Sequence, residues 1–171
     1  TPVTLPPGIV RLQTRSLDGG EWSALSEATF LVDVEAASAD KLVISKVMFN
    51  PSVPTAAEEA AGFDRRGDFE YFEVLNIGPM TIHLGGVRLV AGIEFTFPFG
   101  TVLDPGERLL VVSNLAAFEM RYGAGLPVAG EFENNSNLDD GGERIHLLDE
   151  NGQTIADFTF DDDESMGWPA G

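Results

Sequence analysis

Short runs in which apolar and polar residues alternate follow one another from Leu42 to Phe160, and a turn rich in Gly, Pro, Asn or Asp closes each run. Two examples are ERLLVVSN and ERIHLLDENGQTIADFTF, and the second reverses at Asn151-Gly152, a strong signal for a tight hairpin. Each short alternating strand has one apolar face, and two packed sheets can bury all of these faces together. The pattern therefore predicts an all-β sandwich.

Two short helices are predicted in the loops between strands. Thr55 and Glu58 have the spacing of a capping box, which begins a helix over 56–61. Asn114 can cap a second helix, LAAFEMRY, and Gly123 follows its end. The apolar positions of the strands and of the second helix form the predicted core. They are Leu42, Ile44, Phe72, Val74, Leu89, Phe95, Leu109, Val111, Phe118, Ile145, Leu147 and Phe158.

Residues 1–36 form a separate small β unit in this prediction. A first strand reaches the turn Asp18-Gly19-Gly20, and two more strands follow at 22–25 and 29–34. A segment of about 35 residues buries too little surface to fold alone. The unit resembles the last strands of a fibronectin type III-like domain, whose exposed edges would permit self-association.

This resemblance suggests how the chain is divided. We expect residues 1–36 to be the terminal strands of a preceding domain plus linker, and residues 37–171 to be the main domain. The small, polar residues 35–41 are the expected linker. The alternative is that the first strands lie on the main domain. The chain begins at Thr1 without Met, so we expect it to be a piece of a larger protein.

Charge and cysteine content narrow the classes of partner. The formal net charge is −18, and residues 129–171 alone hold twelve acidic groups and one basic group. So acidic a surface repels phosphate backbones, which argues against nucleic-acid binding. Cysteine is absent, which excludes disulfides and thiolate metal sites. No apolar run is long enough to insert into a membrane.

The acidic run Asp161, Asp162, Asp163 and Glu164 is the strongest candidate for a metal site. Ca²⁺ takes six to eight oxygen ligands, and adjacent carboxylates after a strand can supply several of them. Asp139 and Asp140 could add to this set if the loops cluster at one end of the sandwich. The competing interpretation is an acidic loop that faces solvent. Ca²⁺ is thus the one cofactor under consideration.

The other reactive residues form no recognisable constellation. Glu70 and Glu73 are three apart in a strand and point to opposite faces, so we expect a structural or surface role for them. His83 and His146 lie in separate strands without the spacing of a zinc site. Arg66-Gly67-Asp68 is the tripeptide that integrins recognise, but such residues are common in exposed loops. A hydrolase using surface carboxylates is therefore the weakest alternative.

The order of several motifs resembles the lamin tail domain, an immunoglobulin-like β-sandwich found in nuclear lamins and in bacterial secreted and surface proteins. The matching motifs are LVISKVMFNP, FEYFEVLNIG, IHLGGVRL, FTFPFGTVLDPGERLLVVSN, AAFEMRYG, LDDGGERIHLLDENGQTIADFTF and GWP. The insertion after Asn50 and the AAFEMRYG helix are closer to bacterial members of that family.

The resemblance implies an immunoglobulin-like fold and a non-catalytic role. We expect an interaction or scaffolding module of a bacterial secreted or cell-envelope protein, with a protein or a glycan as its partner. A structural spacer stabilised by Ca²⁺ is the alternative function.

Overall fold

The computed structural model describes residues 3–6 and 8–162. The strands are β1 (Gly8–Thr14), β2 (Leu17–Asp18), β3 (Glu21–Trp22), β4 (Ser26–Val32), β5 (Glu35–Ala36), β6 (Leu42–Met48), β7 (Tyr71–Asn76), β8 (Ile82–His83), β9 (Arg88–Ala91), β10 (Phe95–Thr96), β11 (Val102–Leu103), β12 (Arg108–Val112), β13 (Val128–Glu131), β14 (Arg144–Leu148) and β15 (Thr154–Thr159). The helices are α1 (Ala56–Ala60) and α2 (Leu115–Tyr122), and a 3-10 turn spans Arg66–Phe69.

Two four-stranded sheets form the sandwich, with the strand orders β13-β12-β7-β6 and β10-β9-β14-β15. A smaller sheet has the order β11-β8-β5. Side chains from all three sheets share one core, which includes Phe72 and Val111 from the first, Leu89 and Leu147 from the second and Ile82 from the third. The predicted all-β, immunoglobulin-like sandwich with short helices is therefore confirmed.

Helix α2 covers the outer face of the first sheet. Phe118 packs there against Tyr71 and Val112, and the Tyr71 and Phe118 ring centroids are 5.4 Å apart. Both faces of β12 are consequently buried, which explains why its sequence is a continuous apolar run rather than an alternating one. The predicted cap is present, because the Asn114 side chain accepts a hydrogen bond of 3.1 Å from the Ala117 N–H.

Helix α1 is joined to α2 by a buried ion pair. The capping box of α1 is present as predicted, with the Thr55 N–H donating to Glu58 Oε2 at 2.7 Å. Arg121 of α2 donates to both Glu58 carboxylate oxygens at 2.8 Å, and its guanidinium lies 3.3 Å from the centre of the Phe69 ring. These hydrogen bonds, first from Arg121 and then from Thr55, lower the pKa of Glu58 to about 2.

The N-terminal residues form a long hairpin. Strands β1 and β4 pair antiparallel over seven residue pairs, and β2 pairs with β3 around Gly19-Gly20. The predicted strand at 22–25 is shorter and ends at Trp22. Within the described residues, the hydrogen bonds and the ion pair of this hairpin are internal: the Ser23 N–H donates to the Ser16 carbonyl, and Arg11 forms an ion pair with Glu27.

The linker prediction for residues 35–41 is wrong at its start. Strand β5 pairs in parallel with β8, and the Glu35 N–H donates to the Thr81 carbonyl at 3.0 Å. Ala37 lies in the core with 4% of its surface exposed.

Most of the predicted core residues are buried. The exceptions are Ile44, Leu109 and Phe158, which are half-buried and pack against the edge of the core. Ile44 and Phe158 belong to β6 and β15, and each of these strands is the edge strand of its sheet. None of the helices within the described residues has the length and apolarity needed to cross a membrane.

Candidate ligand cleft at one end of the sandwich

A cleft of about 360 Å³ lies between the 3-10 turn, the start of α2 and the loop that follows β13. Its lining includes Arg65, Asp68, Ser113, Asn114, Asn135 and Asn137. A neighbouring hollow of about 350 Å³ is lined by Glu70, Asp139 and Asp140 and shares Arg65, Gly67 and Asn137 with the cleft. The two hollows thus form one elongated polar depression.

Backbone hydrogen bonds fix the walls of the cleft. The Ser113 N–H donates to the Glu70 carbonyl at 2.9 Å, and the Phe132 N–H donates to the Val112 carbonyl at 2.8 Å. The Glu131 carboxylate accepts from the Leu115 N–H at 2.7 Å, at the first turn of α2. Three segments distant in sequence are therefore joined around the depression.

Glu70 is a buried carboxyl group beside the cleft, with 2% of its surface exposed. Its Oε2 accepts a hydrogen bond of 2.9 Å from the Leu138 N–H. Burial raises the pKa of Glu70 to about 7; the Leu138 hydrogen bond opposes this rise, and the negative charges of Asp140 and Glu143 add to it. The carboxyl group joins the loop that follows β13 to the residue that directly precedes β7.

Gly67 leaves room for that carboxyl group. A Cβ atom at Gly67 would stand 3.2 Å from Glu70 Oε1 and 4.0 Å from the Arg65 guanidinium. This contact is tight although the backbone conformation of Gly67 itself is ordinary. Residue 67 is consequently the place where a larger side chain would fill the depression.

Several polar groups that line the cleft are uncommitted among the described residues. The Asn135 amide and the Ser113 hydroxyl have no hydrogen bond to another described residue, and the Arg65 guanidinium has no ion pair there. Asn114 uses its Oδ1 for the helix cap, and Asn137 uses its Nδ2 for the Leu138 carbonyl. Each keeps the other half of its amide for a ligand.

The predicted acidic loop is only partly within the described residues. Asp161 is half-buried and Asp162 is exposed, whereas Asp163 and Glu164 lie outside the described residues. The loop over 139–143 does approach it, since the Phe160 N–H donates to the Glu143 carbonyl at 3.0 Å. Among residues 3–6 and 8–162, no group of three or more acidic or histidine side chains could hold a metal ion.

Gly142 allows the loop over 139–143 to pack closely against Phe160 and Asp161. It has φ +100°, and a Cβ atom there would overlap the Phe160 carbonyl oxygen and come within 2.7 Å of the Asp161 Cα. Glycine is therefore required by both the backbone conformation and the available space.

The two histidines are separate, as the sequence suggested. His83 lies in β8 and is 3% exposed, with its Nε2 buried and unpaired within the described part of the chain. His146 lies in β14, half-buried, with its Nε2 3.1 Å from the Thr154 hydroxyl. The strands that carry the two histidines belong to different sheets.

Glu73 faces away from Glu70. Its carboxylate forms an ion pair of 3.1 Å with Arg108 and accepts from the Ser45 hydroxyl at 2.7 Å. The Glu73 side chain is therefore held by partners on the outer face of the sheet, as a structural role requires.

The tripeptide Arg66-Gly67-Asp68 is not in an exposed loop, contrary to our expectation. It forms most of the 3-10 turn, and all three residues are half-buried. Gly67 and Asp68 form part of the wall of the cleft, and Asp68 Oδ2 accepts from the Arg65 N–H at 3.3 Å. Its geometry differs from that of an extended recognition loop.

The burial of Glu70 differs from the structural or surface role expected for it from the sequence. A signal was available, because Glu70, Phe72, Val74 and Asn76 share the period-two spacing of a strand and all four are buried. The cleft itself had no comparable signal, since its walls come from segments as far apart as Arg65 and Asn137.

Comparisons with known proteins agree with this fold. The lamin tail domain family matches residues 35–162. This range begins at β5 and covers most of the chain, including both large sheets and the cleft. A search of curated proteins finds no match. The family consists of non-enzymatic immunoglobulin-like domains. The order of strands and turns and the match over 35–162 show that this chain belongs to the lamin tail domain family.

Proposed function

We propose that the chain is an interaction module of a larger bacterial secreted or cell-envelope protein, and that a partner binds in the elongated cleft. The observation that supports this most directly is the set of uncommitted polar groups that line it, on Arg65, Ser113 and Asn135. Polar groups held by a rigid sandwich can bind a partner with little ordering cost. The non-enzymatic character of the family supports binding rather than catalysis.

The test uses a variant that fills the cleft. Gly67→Leu places a side chain in the space beside Glu70, whereas Ala124→Leu adds the same side chain to an exposed loop outside the cleft. Both variants and the unchanged chain are applied to glycan arrays and to extracts of the source cell envelope, after circular dichroism has verified that each variant folds. We expect Gly67→Leu alone to lose the bound partner. Equal binding by all three proteins would refute the proposal.

The Ca²⁺-stabilised spacer is a second candidate. Its support is the approach of the loop over 139–143 to the acidic residues that begin at Asp161. A cation that binds the folded state alone must raise stability, by about 2.7 kcal/mol at one hundred times its dissociation constant. We expect a higher melting temperature in CaCl₂ than in EDTA, with MgCl₂ as the control. The same melting temperature in CaCl₂ and EDTA would remove this candidate.

We also propose that the N-terminal hairpin, residues 8–32, consists of terminal strands of a preceding fibronectin type III-like domain, whereas residues 35 and 36 belong to the main sandwich. Trp22 and Leu25 are more than half exposed, and a two-stranded hairpin alone is marginally stable. Upstream strands would cover these side chains. Hydrogen exchange at the β1 and β4 amides should slow in a longer parent protein, and an unchanged exchange rate there would contradict this assignment.

A further inference from the structure

We propose that the cleft binds a carbohydrate that is neutral or carries amino groups, an inference that rests on the interaction function proposed above. The hydrogen-bonding groups of the cleft, its shape and its charge each favour this class of ligand.

The hydrogen-bonding groups of the cleft match those of a sugar. Each sugar hydroxyl both donates and accepts a hydrogen bond, and adjacent hydroxyls present two such groups side by side. The Asn135 amide likewise presents a donor and an acceptor side by side. Asn114 and Asn137 each retain one half of an amide. The Ser113 hydroxyl adds a group of either kind. Such a set suits a ligand made of hydroxyls more closely than one made of charges.

The shape of the depression suits an oligosaccharide. Hollows of about 360 Å³ and 350 Å³ adjoin each other, because both are lined by Arg65, Gly67 and Asn137. Each is at the small end of the range for ligand pockets. Two joined hollows of this size provide consecutive sites for the units of a linear chain.

Charge decides which carbohydrates fit. Asp68, Glu131, Asp139 and Asp140 line the two hollows together with the Glu70 carboxyl group, and Arg65 is the one basic residue among these lining residues. A negative field of this kind repels uronate, sialate or phosphate groups. It leaves neutral sugars unaffected and favours an amino group.

A protein partner fits the cleft less well. The residues that dominate protein interfaces are aromatic or apolar anchors inserted into desolvated pockets. The aromatic residue that lines the cleft, Phe132, is half-buried, and the surrounding wall is polar. The cleft therefore lacks the apolar pocket in which such an anchor would be buried.

A matched pair of variants tests the inference. Asn134 and Asn135 are neighbours with left-handed backbones, φ +56° and +54°, so glycine fits both positions without strain. Asn135 lines the cleft, whereas the Asn134 side chain donates to Glu94 outside it. Asn135→Gly removes a cleft amide, and Asn134→Gly makes the same chemical change next to it.

Isothermal titration of the full chain uses oligomers of glucose, mannose, glucosamine and N-acetylglucosamine as neutral and amino-bearing probes, and oligogalacturonate as an anionic probe. We expect binding of at least one neutral or amino-bearing probe and none of oligogalacturonate. Asn135→Gly should weaken that binding by about fivefold or more, and Asn134→Gly by less than about twofold. Binding of oligogalacturonate alone, or equal effects of the two variants, would overturn the inference.

The same proteins distinguish this inference from the broader proposal. If every sugar probe fails to bind while Gly67→Leu still abolishes capture of a protein from the cell envelope, the carbohydrate inference is wrong and the interaction function remains. If Gly67→Leu changes no binding of any kind, both are wrong.

Discussion

The N-terminal hairpin and the sandwich use the same strand pairing but bury very different amounts of surface. Strands β1 and β4 pair without interruption over seven residue pairs, yet Phe30 and Leu31 are 42% and 45% exposed. In β7 of the sandwich, Phe72 is 2% exposed. The hydrogen-bond ladders are equivalent, so the difference comes from the second sheet that faces β7. Burial against a second layer, rather than pairing, gives a strand its stability.

The largest difference in stability should be between alanine variants of one phenylalanine from each region. Phe72→Ala leaves a cavity in the shared core and should lower the free energy of unfolding by about 3–5 kcal/mol. Phe30→Ala should cost less than about 1 kcal/mol, because Phe30 is already largely hydrated. Urea denaturation of both variants measures the difference. Should Phe72→Ala fail to fold, Phe72→Leu provides a milder test. Equal losses of unfolding free energy at Phe72 and Phe30 would contradict the comparison.

A second pair of variants compares two ion pairs. The Arg121 and Glu58 side chains are 12% and 6% exposed, whereas those of Arg11 and Glu27 in the hairpin are 64% and 37% exposed. Arg121→Ala leaves a buried carboxylate without its partner and should lower the melting temperature by roughly 5–10 °C. Arg11→Ala should lower it by less than about 2 °C, because solvent screens an exposed pair. A shift for Arg11→Ala as large as that for Arg121→Ala would show that the hairpin is covered in solution.

The third effect is a loss of stability as the pH rises. The pKa of Glu70 is about 7 in the folded protein and near 4.5 when unfolded. Between these values the folded state holds a proton that the unfolded state has lost, so stability is complete below pH 4.5 and is lost as the pH rises through about 7. The whole loss should be about 3 kcal/mol. Burial also raises the pKa of Glu143, which acts in the same direction.

Urea denaturation at pH 5, 6, 7 and 8 measures this loss. Glu70→Gln keeps an acceptor for the Leu138 N–H and should remove most of the pH dependence. Glu27→Gln in the hairpin is the control, because hydrogen bonds from Arg11 and Gln13 lower the pKa of Glu27 and place its titration below this range. The lowered pKa of Glu58 likewise acts below pH 4.5. An unchanged slope in Glu70→Gln would disprove the assignment.

Local signals in the sequence predicted the elements well. The capping box of Thr55 and Glu58, the Asn114 cap and the turn at Asn151-Gly152 each depend on residues close together in the chain, and each is present. The motif order also predicted the family, and the match over 35–162 confirms it.

Features that depend on distant segments were harder to predict. β5 is two residues long, and its partner β8 lies more than forty residues further on, so its small residues suggested a linker. Glu70 is enclosed by the loop at Leu138, and no local pattern indicates that this loop folds over it. The candidate cleft is likewise formed by segments that are distant in sequence. Its uncommitted groups become visible only once three separate segments have been brought together.

Gly142 limits the substitutions that the loop over 139–143 can accept. No other residue type fits there, because a Cβ atom would push away the carbonyl of Phe160. In a saturation library selected for folding, position 142 should tolerate almost no substitution, whereas the exposed neighbour Asp140 should accept many. The exposed side chains of this loop could therefore vary while its backbone anchor at Gly142 stays fixed. Such a division would let the exposed surface of this loop change in sequence while the fold is retained.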